Sequence, residues 1–284
     1  MKRRDLLKLG AASGALVLAS PVAANATPRW FSGDPADLAN RAWLQVTENL
    51  LRGLPRSVVR QGRNGTSLMV SFQPQAQLNG VFCTKRTVDL REVAYYADQM
   101  PEFGVAAWVM RVRGEASQGF AQTAAEYGKN TLRTRTLSSV AAGQATLPAD
   151  MPQGVTVRQV TGAQADIFRD IAVRATGVPA EYVRDLLAAK ALDRTEARPY
   201  LVEVNGTPAA IGVGFRGADV VAPYYLFTAP EFSGRGLDRL VTGRILRDAF
   251  LAGARSAIAT IEPGQEELLL SLGFRAVDVW TTAA

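Results

Sequence analysis

The chain contains no histidine, and Cys83 is its only cysteine. Without imidazole there is no Ser-His-Asp triad, no Cys-His dyad and no histidine-based zinc site. A lone cysteine forms no intrachain disulfide. Cys83 lies in the apolar-flanked stretch NGVFCTK, where a thiol lacking a basic partner reads as a small buried hydrophobe, not a nucleophile. Beyond the first residues, clustered positive charge is missing too: the chain has 32 Lys and Arg against 26 Asp and Glu, and the basic residues after position 8 are scattered. No nucleic-acid groove is therefore expected. No apolar run is long enough for a stable membrane anchor.

What is present is the balance of a globular protein, 48% hydrophobic and 20% charged over 284 residues, enough to bury a core. Residues 1–26 are set apart. Lys2, Arg3, Arg4 and Lys8 form a basic head, GAASGALVLASPVAA is an apolar run, and Ala24-Asn25-Ala26 supplies a small-x-small cleavage pattern. RRDLLK resembles a twin-arginine export signal, read by a receptor. An authentic signal places the protein outside the cytoplasm, periplasmic or secreted; a mere N-terminal extension leaves it cytoplasmic. The segment carries four basic residues and one acid, so its removal lowers the net charge from +6 to +3.

Beyond it, hydrophobic periodicity alternates between helix and strand, the pattern of a layered α/β unit. DPADLANRAWLQVTENLLRGL predicts a helix capped by Asp34 or Asp37. Then follow strands TSLMVSF and GVFCTK, helix VDLREVAYYADQM, strand VAAWVMRV, helix SQGFAQTAAEYG and strand TLRTRTLSSV. The small, Pro- and Gly-containing stretch AAGQATLPADMPQG reads as a linker, dividing the chain into 27–150 and 151–284. The second half predicts strand VTVRQV and helices AQADIFRDIAVRAT and PAEYVRDLLAAKAL. Next comes a hairpin at Asn205-Gly206, strand VVAPYYLFTA and helix GLDRLVTGRILRDAFLAGA, with Leu237, Val241, Ile245 and Ala249 on one stripe. Strand SAIATIE, helix GQEELLLSLG and strand RAVDVWT close it. VAAWVMRV…QTAAEYGKNTLRTRT and RSAIATIE…ELLLSLGFRAVDVW share an order of strand, helix, glycine turn and strand, a faint sign of duplication.

The stretch TAPEFSGRGLDRLV carries the most specific signal. A strand ends near Thr228, Pro230 stops further pairing, and Gly234 and Gly236 let the backbone turn so that successive amides face the start of a helix. Such amides, at the positive end of a helix dipole, bind phosphate without a charged side chain. An ordinary strand-to-helix turn also uses glycine, and the stretch is neither a Walker loop nor a dinucleotide fingerprint.

PEFSGRG leading into a helix, SLGFRAV near the C-terminus, and the order of elements between them resemble the GNAT superfamily of N-acyltransferases. Through LNGVFCTK and WVMRVRG the first half resembles a bacterial branch with an N-terminal GNAT-like half. The resemblance implies an α/β, α+β-layered fold, a mixed sheet flanked by helices in two tandem GNAT-like halves. It implies transfer of an acetyl or other acyl group from acyl-CoA, with no metal, to a small-molecule amine. On this likeness the backbone at Leu226, Phe227 and Thr228 pairs with the pantetheine arm. Ser233, Gly234, Arg235, Gly236, Leu237, Asp238 and Arg239 form the pyrophosphate cradle.

Some positions depart from the family pattern. Ser233 replaces Arg or Gln, and Asp238 replaces a Gly or Ala. Leu269 stands where the family places an acidic tyrosine, and Glu262 where it often has asparagine. Glu262, Tyr224 and Tyr225 are the candidates for acid-base work; the bland alternatives are a solvated carboxylate and aromatic pocket walls. Asp238 and Leu269 keep a second reading open, that of a catalytically silent or repurposed exported binding protein.

Overall fold

A computed structural model describes residues 34–261 and 264–284. The export signal lies outside the described residues, as does Glu262.

Helix α1, Pro35–Arg52, starts where Asp34 accepts the amide of Ala36 at 2.9 Å and proline occupies the first helical position, an arrangement that satisfies an otherwise orphan donor. Strands β1 (Val58–Gln61), β2 (Thr66–Val70) and β3 (Asn79–Cys83) follow. Helix α2 (Leu90–Ala97), strand β4 (Val109–Arg113), helix α3 (Gln118–Glu126) and strand β5 (Leu132–Ala141) complete the first half. The second half runs β6 (Val155–Gln159), α4 (Ala165–Thr176), α5 (Ala189–Leu192), β7 (Ala197–Val204) and β8 (Thr207–Arg216). It ends with β9 (Val220–Thr228), α6 (Leu237–Leu251), β10 (Ser256–Thr260), α7 (Glu266–Ser271) and β11 (Arg275–Ala283).

Most elements fall where periodicity puts them. Asn205 and Gly206 take φ of 50° and 79°, both positive as a tight hairpin turn requires. Leu237, Val241, Ile245 and Ala249 are all buried on one stripe of α6, and Cys83 is buried in the core. The helix expected over PAEYVRDLLAAKAL does not form as one piece. It breaks into a 3₁₀ turn at Ala180–Tyr182 and the short α5, because Val183, Leu186, Leu187, Ala191 and Leu192 are each drawn into the core and packing overrides local propensity.

All the strands lie in one mixed sheet, ordered β1-β2-β3-β4-β11-β5-β10-β9-β8-β7-β6. The centre of that order crosses the midpoint of the chain. β5, from the first half, lies antiparallel between β10 and β11, and β11, the last strand, lies antiparallel between β4 and β5. Each half thus lends the other a strand. Among the described strands, β3 with β4 and β9 with β10 run parallel. In both halves a helix then ends in the same glycine turn. Gly128 and Gly273 sit at φ of 72° and 91°. Lys129 donates to the carbonyl of Ala124 at 2.9 Å, and Phe274 to that of Leu269 at 3.1 Å, the long bond of a Schellman motif. The faint sequence repeat is therefore a structural repeat of strand, helix, glycine turn and strand.

The helices close both faces. α1 and α4 contribute to one buried cluster with Leu137, Ile258 and Phe215, while α6 and α7 pack with Val140, Ala257 and Val221 on the other side. α2 and α3 cover β2, β3 and β4. Trp43 of α1 reaches both halves, its ring 5.7 Å from Phe82 on β3 and 4.5 Å from Trp280 on β11. Burying a side chain of this size stabilises by roughly 3 kcal/mol.

Candidate functional site

The two parallel strand pairs differ in one respect. In the first half β3 stays zipped to β4 over nearly all of its length, from Gly80 opposite Val109 to Cys83 opposite Val112. Gly80 has no room for a side chain, since a Cβ there would stand 1.8 Å from the carbonyl oxygen of Val109. In the second half β9 pairs with β10 only at Val220–Val221 against Ser256–Ala257. From Ala222 to Thr228 it remains paired to β8 alone. A strand that keeps one neighbour and loses the other presents a free backbone edge, open to an extended ligand.

The free edge carries a bulge. Val213 faces Tyr224 and Ile211 faces Phe227, so Tyr225 and Leu226 together oppose Gly212. Tyr225 sits at φ 53°, a left-handed conformation that costs a non-glycine residue about 1–2 kcal/mol. The extra residue changes which side chains share a face. Tyr224, Tyr225 and Phe227 all pack toward the cluster of α1 and α4, and Leu226 packs toward α6. Phe215 stands edge-on to both tyrosines, at 5.7 and 5.9 Å. Burial raises the Tyr225 phenol above its ordinary pKa, and neighbouring Tyr224 adds to the shift. Tyr225 is thus neutral at physiological pH.

Beyond β9 the chain turns through a 3₁₀ segment, Pro230–Phe232, whose Glu231 is tied to Arg174 of α4 at 2.6 Å. Gly234 and Gly236 then take φ of 76° and 68°, and a Cβ at either would meet nothing within 4 Å. Backbone conformation, not crowding, demands glycine there. The amides of Gly234, Arg235, Gly236, Leu237 and Asp238 have no partner among the described residues. They lie at the start of the 15-residue α6, whose dipole adds positive potential at that end. Free amides at the positive end of a helix are the chemistry that anions favour.

Asp238 intrudes on these amides. Its carboxylate accepts the amide of Arg239 at 2.8 Å, taking one donor and placing a negative charge in the first turn. Arg239 turns its guanidinium aside to Ser271 at 3.2 Å, and Arg235 lies over the ring of Phe232 at 5.3 Å. Ser233 is exposed at the end of the 3₁₀ segment. Leu269 is buried beside Leu272 and Phe274, so its position faces the core.

The structure therefore brings together the open edge at Leu226, Phe227 and Thr228, the loop from Ser233 to Arg239, and the tyrosine pair. The bulge had no signal in the sequence, since no glycine marks Tyr225. Nor did any local pattern indicate that β5 completes the second half.

Residues 130–258 match the family model described as acetyltransferase (GNAT) domain. The match begins just ahead of β5, the strand lent by the first half. No curated protein matches the sequence. Among solved structures, a GCN5-related N-acetyltransferase from Kribbella flavida is similar over 87% of this chain and 94% of its own, at 20% identity and a TM-score of 0.63. A functionally unknown conserved protein from Staphylococcus epidermidis aligns over 80% and 92% at 11% identity and a TM-score of 0.59. A tandem GNAT protein from the clavulanic acid biosynthesis pathway aligns over 88% and 96% at 15% identity and a TM-score of 0.53. The chain has a GNAT-like fold, and residues 130–258 are similar to the GNAT acetyltransferase domain.

Proposed function

We propose that the second half transfers an acyl group from an acyl-coenzyme A to a small-molecule amine. The observation that carries this reading is the opening between β9 and β10, with a free strand edge leading straight to unpartnered amides at the start of α6. The diphosphate of coenzyme A fits that cradle in charge, and the amide-bearing pantetheine arm fits the edge at Leu226, Phe227 and Thr228. The thioester supplies the activated acyl group. Tyr225, neutral and beside the opening, gives its proton to the leaving thiolate as the C–S bond breaks and takes up the proton that the attacking amine loses as the C–N bond forms, with Tyr224 at 6.2 Å as the second phenol. The donors of the strand edge polarise the acyl carbonyl.

A second reading rests on Asp238. Its carboxylate occupies an amide at the point where a diphosphate would sit, and Leu269 offers no acid. This reading makes the chain a GNAT-fold binding protein without catalysis. Calorimetric titration with acetyl-CoA separates the two. Micromolar binding by the wild type supports the transferase and sinks the silent protein; no binding, gained on Asp238→Gly, does the reverse. We further propose export through the N-terminal signal, which N-terminal sequencing of the protein from fractionated cells tests; an intact Met1 in the cytosol refutes it.

A further inference from the structure

A cavity of about 170 Å³ lies between the last turns of α6 and the strands β6 to β9, room for about five waters. It is at the opposite end of α6 from the glycine loop. Strand register brings two cations to its wall. Arg198 stands opposite Gly214 on β8, and Arg216 lies two residues further along β8, on the same face, opposite Val221. Residues on such a diagonal are about 7–8 Å apart, within reach of one another for long side chains. Gly214, which faces Arg198, adds no side chain to the space between them.

Neither arginine forms an ion pair among the described residues. Arg198 donates from Nη1 to the carbonyls of Thr195 and Ala197 at 2.8 and 3.0 Å, and Arg216 donates from Nη2 to that of Ala252 at 3.0 Å. These bonds to neutral groups orient both guanidinium planes. They leave Nε and Nη2 of Arg198, and Nε and Nη1 of Arg216, without a partner among the described residues. Both arginines are partly exposed, and the four nitrogens keep accessible surface. Asp248, the carboxylate at this wall, is engaged by other donors. It accepts Arg244 Nε at 2.9 and 2.8 Å and the hydroxyl of Tyr200 at 2.9 Å. Two like charges on one sheet face without a counter-charge repel each other. An anion set between them removes that cost.

Beside the arginines the lining turns apolar, with Val221, Ile245 and Ala249 buried and Ala252 exposed at the rim. A dianion such as phosphate would satisfy the cations, yet it would meet Asp248 and the carbonyl end of α6, where the helix dipole disfavours negative charge. It would also leave the apolar wall bare. A single carboxylate reduces the first cost, and a hydrocarbon chain attached to it covers the wall. We propose that this cavity binds a short-chain aliphatic monocarboxylate, its carboxylate between Arg198 and Arg216 and its chain against Val221, Ile245 and Ala249. The proposal stands independently of acyl transfer at the other end of α6.

The test is calorimetry on the full chain with acetate, propionate, butyrate, butanol and inorganic phosphate as probes, at matched ionic strength. The expected result is saturable binding that tightens about fourfold with each methylene from acetate to butyrate. Phosphate binds more weakly than butyrate, and butanol, which lacks the charge, is weaker by about tenfold or more. Arg198→Ala and Arg216→Ala each weaken butyrate by about tenfold. Ala252→Leu leaves both arginines in place and narrows the rim, so it also weakens butyrate by about tenfold, without lowering the melting temperature of the ligand-free chain. Absence of saturable butyrate binding overturns the proposal. So does phosphate or butanol binding as tightly as butyrate, or butyrate binding indifferent to all three substitutions, which would place the carboxylate elsewhere.

Discussion

The carboxylate of Asp238 accepts the backbone amide of Arg239 at 2.8 Å, one residue along the same turn. A side chain that stabilises the start of α6 therefore opposes any diphosphate brought to it. Asp238→Gly removes both effects. Stability should fall by about 0.5–1 kcal/mol, as expected for losing an acid from a helix N-terminus. Affinity for acetyl-CoA should rise about fivefold, as expected for removing one repulsive charge at an exposed site. A thermal melt and a calorimetric titration read the two separately.

Gly234→Ala and Gly236→Ala probe the cradle by its backbone. Each places a Cβ at positive φ in open space, so the cost is conformational, about 1–2 kcal/mol per site. Both variants should melt lower yet remain folded, and both should lose acetyl-CoA binding as the amides turn away. Retained affinity would show that the loop does not hold the diphosphate.

Tyr225→Phe isolates the proposed proton donor. It keeps the ring against Phe215 and removes the hydroxyl, so turnover should fall about a hundredfold, the scale of lost general acid catalysis, with unchanged acetyl-CoA affinity. A fall in affinity with turnover preserved would make the tyrosine a wall of the pocket.

The same phenol shapes the alkaline limb of stability. Burial holds Tyr225 protonated above 10.0, the ordinary value. Burial and a hydrogen bond to Asp98 push Tyr127 up to about 12. The unfolded chain loses these protons first, so stability is full below about pH 10 and declines as pH rises past it. Phenolate absorbance should reveal late-titrating groups, and Tyr225→Phe should flatten the decline in melting temperature.

Deleting Arg275–Ala284 strips β4 and β5 of their common neighbour. The truncated chain should lose cooperative unfolding altogether, and a fragment ending at Ala145 should not fold alone. Co-expressed fragments covering 34–145 and 146–284 should instead copurify. Independent folding of either piece would show that the exchanged strands are dispensable.

Elements whose own residues carry a period or a cap were legible in the sequence. The α6 stripe, the Asn205-Gly206 hairpin and the Asp34 cap all announce themselves within a few positions. The loop at Gly234 and Gly236 was legible for the same reason, since positive φ selects glycine locally. What the sequence did not show depends on distant partners. The Tyr225 bulge exists because β8 places Gly212 opposite it, and the 179–192 segment breaks because separated apolar residues sink into a shared core. The placement of β5 and β11 follows from neither strand alone.

The strand lent by each half to the other has a consequence for synthesis. β11 is made after every other described strand, yet it belongs near the middle of the sheet, between β4 and β5. A nascent chain must therefore hold two edges apart, unsatisfied, until β11 arrives. Closure through such remote pairing is slow and exposes sticky edges meanwhile. The described sheet consequently has one latch, and β11 closes it.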